Sequence, residues 1–238
     1  MSLAAPFLEN GYTLYVAAHC PYAQRAIRAT NIAKVPHQRI DINLADKPAW
    51  YGEINPKLTV PSLRLPNGTV LTESLDITAY IASEFPEAKL LPDDPAEHAK
   101  TTEFVDLFSQ NINTPVFKLL MAKTTEEQKQ ASDTLLDGIK KANDALTKQW
   151  ASTSGKGGPF WLGDRFSIVE VNTASFVNNL LVIPKHYRGF VLPQTDEYAA
   201  FNRWVGAIYA HPEFTRVQPA DETIIKAAAK FVAPTATD

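Results

Sequence analysis

Only one cysteine, Cys20, occurs among the 238 residues. A disulfide within the chain is therefore excluded, and such cysteine usage suits a reducing compartment. No apolar run approaches the ~18 residues needed to span a bilayer. No basic side chain precedes Arg25, so the charged region that opens a signal or transit peptide is missing. Neither sign of charge dominates. Lys and Arg number 23 against 26 Asp and Glu, a net charge of −3. That balance offers no broad attraction to nucleic acid or to anionic membranes. Internal repeats and low-complexity tracts are also absent. The expectation is a cytoplasmic protein with no metal, no nucleic-acid partner and no membrane segment.

What is present is a change of pattern near residue 90. Tyr12 to Ala18 reads as a short strand of β-branched and aromatic residues, and Ala23 to Thr30 as a helix with Pro21 in its first turn. Pro36 to Asp41 reads as a second strand, and Leu44 to Ile54 as a loop with a short helix. Thr59 to Leu65 and Thr69 to Thr72 flank Pro66-Asn67-Gly68, a hairpin signal. Ser74 to Phe85 is an amphipathic helix. Strand–helix–strand followed by a hairpin implies a small mixed sheet carrying helices. Three prolines among residues 85–95 cannot continue a helix and mark a linker over 86–96. Beyond it the periodicity predicts helices over 97–121, 125–151, 167–182, 196–210 and 221–230. The glycine-rich stretch 154–159 is a loop, and 232–238 a frayed tail. Ser167-Ile168-Val169-Glu170 fits a capping box at a helix start.

Cys20 stands where the first strand hands over to the first helix. Unpaired amides and the positive end of the helix dipole favour a thiolate there, so an alkylation midpoint below the ordinary thiol value of ~8.5 is expected. His19 precedes it, but neighbouring side chains in extended backbone point oppositely. Sequence proximity alone does not make His19 a base. A thiolate that attacks a disulfide ends in a mixed disulfide. Thioredoxin-type sites resolve it with a second cysteine, but Ala23 stands three residues on and no other thiol exists. Resolution must come from an external thiol, for which glutathione is the abundant intracellular candidate.

A glutathione site needs a strand edge, donors for two carboxylates and an acceptor for an ammonium group. Val60-Pro61 offers a strand edge by β-augmentation. Ser74 is a candidate N-cap whose neighbouring amides attract a carboxylate. Glu73 can accept from the ammonium and Lys47 can meet the second carboxylate. Taken singly, the same residues are equally a hairpin proline, a helix cap and a solvated lysine.

Residues 12–95 resemble the thioredoxin-like N-terminal domain of the glutathione transferases, the omega class in particular. The resemblance rests on Cys20-Pro21-Tyr22-Ala23-Gln24-Arg25, Ile42-Asn43-Leu44 with Lys47-Pro48 and Trp50, Val60-Pro61-Ser62-Leu63, Glu73-Ser74, and Lys89 to Pro95. Gly163-Asp164-Arg165-Phe166-Ser167 fits the core motif of the family's second domain. The implied fold class is α/β plus all-α. Residues 1–92 would form a thioredoxin-like glutathione-binding domain with a mixed four-stranded sheet, and 97–238 an all-helical domain contributing the acceptor pocket. The resemblance further implies a cis-Pro61 and a homodimer. It makes Cys20 the catalytic thiol, with Lys47, Val60, Pro61, Glu73 and Ser74 binding glutathione. The implied activities are deglutathionylation, disulfide or dehydroascorbate reduction and weak conjugation, a detoxification chemistry. Tyr22 departs from the family's usual phenylalanine and would bring its hydroxyl near the acceptor.

The acceptor pocket is expected between the domains, facing Cys20. On the helix 97–121 most apolar residues, among them Phe104, Ile112, Phe117 and Leu120, read as core. Phe108 and the polar Asn111 are the chosen lining, with Tyr22 opposite. Phe176, Asn178, Asn179, Trp204 and Tyr209 are unranked possibilities. An apolar pocket of this kind suits a small hydrophobic or aromatic acceptor. The competing reading is a carrier that holds lipophilic aromatic ligands without turning them over.

Overall fold

The computed structural model describes residues 4–152 and 157–234. Residues 154–156 of the expected loop and 235–238 of the expected tail lie outside them. The first part runs β1 (Tyr12–Val16), α1 (Pro21–Ile32), β2 (His37–Asp41), α2 (Tyr51–Ile54), β3 (Ser62–Arg64), β4 (Val70–Leu71) and α3 (Ser74–Glu84). The sheet is four-stranded in the order β2-β1-β3-β4. β1 pairs with β2 in parallel, Tyr12 opposite His37, and with β3 antiparallel, Tyr15 opposite Ser62. This is the mixed sheet that the order of signals implies, because a helical crossover gives a parallel pair and a tight turn an antiparallel one. The hairpin turns at Pro66-Asn67-Gly68. Gly68 takes φ 89°, where a side chain is strained, and the Asn67 carboxamide accepts from the Thr69 amide at 3.0 Å.

A 3₁₀ turn, Pro86–Ala88, leads into the helical part. This comprises α4 (Ala96–Phe108), a π-helical segment (Ser109–Asn113), α5 (Thr114–Met121), α6 (Thr125–Ser152), α7 (Ile168–Arg188), α8 (Ala199–Ala210), α9 (Pro212–Val217) and α10 (Asp221–Ala228). None of the helices among the described residues is long and apolar enough to cross a membrane. Two differences from the sequence periodicity matter. α7 continues past Pro184 to Arg188 instead of ending at 182, and α9 is an additional short helix.

The π segment has a local cause. Pro115 has no N–H to donate to the carbonyl of Asn111, four residues back. The helix widens there, and that carbonyl leans on α6 at Gly138, where an added Cβ would meet it at 1.7 Å. The extra residue rotates every following side chain about the helix axis. Val232 to Pro234 are not frayed, because the Ala233 amide donates to the Leu120 carbonyl at 3.0 Å.

At the start of α7 the capping box forms. The Ser167 amide donates to Glu170 Oε2 at 2.9 Å, and Ser167 Oγ accepts from the Val169 amide at 3.3 Å. Glu170 does more than cap. It is fully buried, and its Oε1 accepts from the Trp161 amide at 2.8 Å and from Trp204 Nε1 at 2.9 Å. A carboxylate thus ties α7, α8 and the 160–165 loop at the centre of the helical core. Burial pushes its pKa above the usual carboxylate value against the pull of these donors.

Candidate active site

Cys20 is the N-cap of α1. Its amide donates to the Ala17 carbonyl at 2.9 Å, and its own carbonyl accepts the first helical bond, from Gln24, at 3.0 Å. The Gln24 carboxamide ties back to the Ala18 carbonyl at 3.0 Å, locking the turn between strand and helix. The Cys20 thiol is half-buried and lies 3.9 Å from the Val60 carbonyl. Burial pushes its pKa above the ordinary thiol value. The amides of Ala23 and Tyr22, and the charges of Arg25 and Lys230, pull it down without overcoming burial. This corrects the expectation of an activated thiolate in the free protein: the helix-end field is present, and desolvation exceeds it. Alkylation of Cys20 by iodoacetamide in the absence of other thiols is therefore expected to rise with pH through a midpoint above ~8.5, because only the thiolate reacts. A midpoint below that value would contradict the balance described.

Val60-Pro61 is a cis peptide. Pairing of β3 with β1 begins only at Ser62, so Val60 lies beyond the ladder. Its segment is fixed by a buried polar cluster that the sequence pattern does not reveal. Tyr51 Oη donates to the Thr59 carbonyl at 2.7 Å and meets Ser62 Oγ at 3.0 Å, while Asn55 Nδ2 donates to the same Thr59 carbonyl at 2.8 Å. The hydroxyl of one buried aromatic and one buried carboxamide thus set where Val60 faces Cys20.

Glu73 and Ser74 open α3, with the roles shifted by one residue. Glu73 is the N-cap and Ser74 the first helical residue. Glu73 is exposed and accepts from Lys57 Nζ at 2.7 Å. Lys57 was not singled out by sequence. Ser74 is buried, and its Oγ accepts from Arg25 Nη1 at 3.2 Å. Lys47 is exposed in the loop after β2, without a side-chain partner among the described residues.

Arg25 is the residue whose importance the sequence pattern understates. It is buried on α1, and burial lowers its pKa to about 10. Its Nε donates to the Asn172 carbonyl in α7 at 2.8 Å. Its guanidinium lies over the rings of Phe176, 4.6 Å to the centroid, and Tyr22, 5.4 Å. Ser175 Oγ adds a bond to the Pro21 carbonyl at 2.9 Å. These contacts bring α7 against the cysteine helix and set Phe176 edge-on to Tyr22, with centroids 5.0 Å apart.

Beside Cys20 lies a cavity of about 490 Å³ between the two parts of the chain. Cys20, Tyr22, Phe176 and His19 line it, together with Asn113 from the end of the π segment and Phe117 and Leu120 from α5. Ile224, Lys226, Lys230 and Phe231 add lining from α10 and the turn after it. Tyr22 is therefore where the sequence placed it. Phe108 and Asn111 are not. Phe108 is fully buried against Trp204, ring centroids 5.9 Å apart. Asn111 turns to α6 and accepts from Lys141 Nζ at 3.1 Å. The π segment shifts the phase of this stretch, so that Asn113 at its end and Val116, Phe117 and Leu120 beyond it face the cavity. Phe117, read as core, is exposed and lines the cavity, whereas Leu120 is buried in the core as expected and also borders the cavity. Of the unranked candidates, Phe176 and Asn179 line the cavity. Asn178, Trp204 and Tyr209 do not, and Tyr209 Oη instead donates to Asn178 Oδ1 at 2.7 Å.

A mixed thioredoxin-like sheet with a helix-capping cysteine, followed by a helical part whose cavity opens on that thiol, defines a two-part fold of thioredoxin-like and all-helical halves. The sequence comparisons agree. The glutathione S-transferase N-terminal domain matches residues 19–84, and the C-terminal domain matches residues 129–207. Protein IN2-1 homolog B of Oryza sativa subsp. indica is 36% identical over 181 residues, covering 74% of this chain and 68% of that protein. Glutathione S-transferase omega-1 of Rattus norvegicus is 33% identical over 144 residues, 60% of this chain and 59% of that protein. The crystal structure of glutathione transferase Omega 3C from Trametes versicolor superposes with a TM-score of 0.79 at 25% identity, covering 95% of this chain and 91% of that one. The chain belongs to the glutathione S-transferase family, with omega-class enzymes among its relatives. Glutathione is the family's co-substrate.

Proposed function

We propose that this glutathione transferase is a thiol transferase and reductase in which Cys20 itself forms the mixed disulfide with glutathione. The observation that carries this reading is a single cysteine at a helix N-cap, 3.9 Å from the Val60 carbonyl and open to the cavity. Residues 1–92 would bind glutathione and 97–238 the acceptor. Val60, beyond the ladder at Pro61, would pair with the cysteinyl backbone of glutathione. Ser74, whose Oγ already accepts from Arg25, has its hydroxyl proton available for a carboxylate at the start of α3. The exposed Glu73 would accept from the ammonium, and Lys47 would meet the second carboxylate.

The cycle balances without a second protein thiol. The Cys20 thiolate attacks the glutathione sulfur of a mixed disulfide, and the substrate S–S bond breaks. The departing thiolate takes a proton from solvent, leaving glutathione on Cys20. A second glutathione thiolate attacks that glutathionyl sulfur, oxidised glutathione leaves, and the Cys20 thiolate returns. The released substrate sulfur gains one electron and the second glutathione sulfur gives up one, while the first glutathione passes into oxidised glutathione at the disulfide level it already had. The same site would serve dehydroascorbate reduction, reductive cleavage of conjugates and weak conjugation. A cytoplasmic homodimer acting in detoxification is the setting that fits.

Intact-mass measurement after incubation with oxidised glutathione tests the central step. One glutathionyl group on Cys20, removed by reduced glutathione, is expected. No adduct, with aromatic ligands still bound, would favour the carrier that the aromatic cavity walls also suit.

A further inference from the structure

The cavity beside Cys20 is mostly apolar, yet its charged lining is all of one sign. Among the described residues that line it there is no aspartate or glutamate, while α10 and the turn after it contribute Lys226 and Lys230. The chain as a whole carries a net charge of −3, so two unopposed cations at one cavity do not simply reflect composition. Neither lysine has an ion-pair partner among the described residues. The acids in the first turn of α10, Asp221 and Glu222, are not among the lining residues.

The element that carries the lysines is held in place. Arg188 Nη2 donates to the Leu120 carbonyl at 2.5 Å and to the Ala233 carbonyl at 2.7 Å. Tyr187 Oη donates to the Ile225 carbonyl at 2.9 Å, inside α10. Phe231 sets its ring edge-on to Phe117, with centroids 5.6 Å apart. Lys230 is close enough to the thiol for its charge to favour the Cys20 thiolate. Lys226 and Lys230 therefore line, on a held backbone, the same cavity as the rings of Tyr22 and Phe176, with Lys230 Nζ 5.0 Å from the Phe231 ring centroid. A flat ring can lie against the aromatics while a negative substituent meets the lysines.

We propose that Lys226 and Lys230 select aromatic acceptors bearing a negative charge, such as aryl carboxylates, over neutral ones of the same shape. This deepens the function proposed above and rests on its taking this cavity as the acceptor site. Both lysines are exposed, so the attraction is partly screened by solvent.

The test compares a matched pair of probes, 4-carboxybenzophenone and benzophenone-4-carboxamide, by titration calorimetry on the full chain. The carboxylate is expected to bind about five-fold more tightly, the scale of two solvated ion pairs. That ratio should fall to about one in the double variant Lys226→Met, Lys230→Met, whose side chains keep the apolar stems. It should also shrink toward one for the unaltered protein in molar salt, a control that needs no variant to fold. A ratio of one in the parent at low salt, or one that survives both salt and the double variant, overturns the proposal. Glutathione mixed disulfides of 4-mercaptobenzoate and 4-mercaptobenzamide separate the two ideas. Preferential binding of carboxylates without turnover sinks the transferase reading and leaves the selectivity standing. Turnover of both disulfides at equal kcat/KM, with equal binding of the two benzophenones, does the reverse.

Discussion

Cys20→Ser is expected to lower glutathione-dependent reduction of mixed disulfides by at least about a thousandfold, because the group that forms the covalent bond is removed and no neighbour replaces it. The chain offers no second thiol. The serine hydroxyl ionises far above neutral pH and does not form a disulfide, so the first half of the cycle has no counterpart. The variant should fold normally. Serine is a favoured N-cap, and its hydroxyl can accept from the amides of Tyr22 and Ala23 that now face the sulfur. Thermal stability equal to or above that of the parent would therefore accompany the lost activity and separate chemistry from folding. A weak conjugating activity is compatible with a hydroxyl that hydrogen-bonds the sulfur of bound glutathione. Reduction of mixed disulfides at the parent's rate would show that the electrons do not pass through Cys20.

Glu170→Leu is expected to be strongly destabilising, by about 3–5 kcal/mol. The carboxylate accepts from the Trp161 and Ser167 amides, from Trp204 Nε1 and from the Ser167 hydroxyl, all at 2.7–2.9 Å and all buried. Leucine leaves those donors without an acceptor in a place that water does not reach. It also removes the capping box of α7 and frees the Trp204 indole, which packs edge-on against Phe104 and Phe108. For a chain of this size the loss corresponds to a fall in melting temperature of about 10 °C. Glu170→Gln should fall less, since one oxygen remains to serve one pair of donors. Scanning calorimetry on the three proteins checks the order. A Leu variant melting within a degree or two of the parent would show that the buried carboxylate costs as much to bury as its hydrogen bonds return.

The sequence signals were most readable where a local rule decides the outcome. The strand before Cys20, the proline after it, the Pro66-Asn67-Gly68 turn and the Ser167–Glu170 box each act within a few residues, and each stands in the structure. Where Cys20 points is also local, since an N-cap follows from its own backbone. Its pKa is not local. The burial that raises it comes from packing against segments distant in sequence, so the helix-end argument alone gives the wrong sign. The misplaced cavity residues have another cause. The choice of Phe108 and Asn111 rests on Asn111 being polar on an otherwise apolar helical stripe, but the helix widens ahead of Pro115 and Asn111 turns to Lys141 of α6. Arg25 and the cavity lysines were hidden for the same reason: a basic residue on a helix is ordinarily solvated, and only tertiary placement makes one a buried tie and two others cavity lining.

Arg25 has a consequence for how such a protein can change. One guanidinium grips Ser74, the Asn172 carbonyl, Tyr22 and Phe176 together. Ser74, proposed to contact glutathione, and the Tyr22–Phe176 side of the cavity therefore share an anchor, and a substitution in either is expected to be felt by both. The lining from α5 and the turn after α10 is tied to Arg188 instead. The cavity lining is thus held by two separate arginines, Arg25 on the side of the cysteine helix and Arg188 on the side of α5 and the turn after α10.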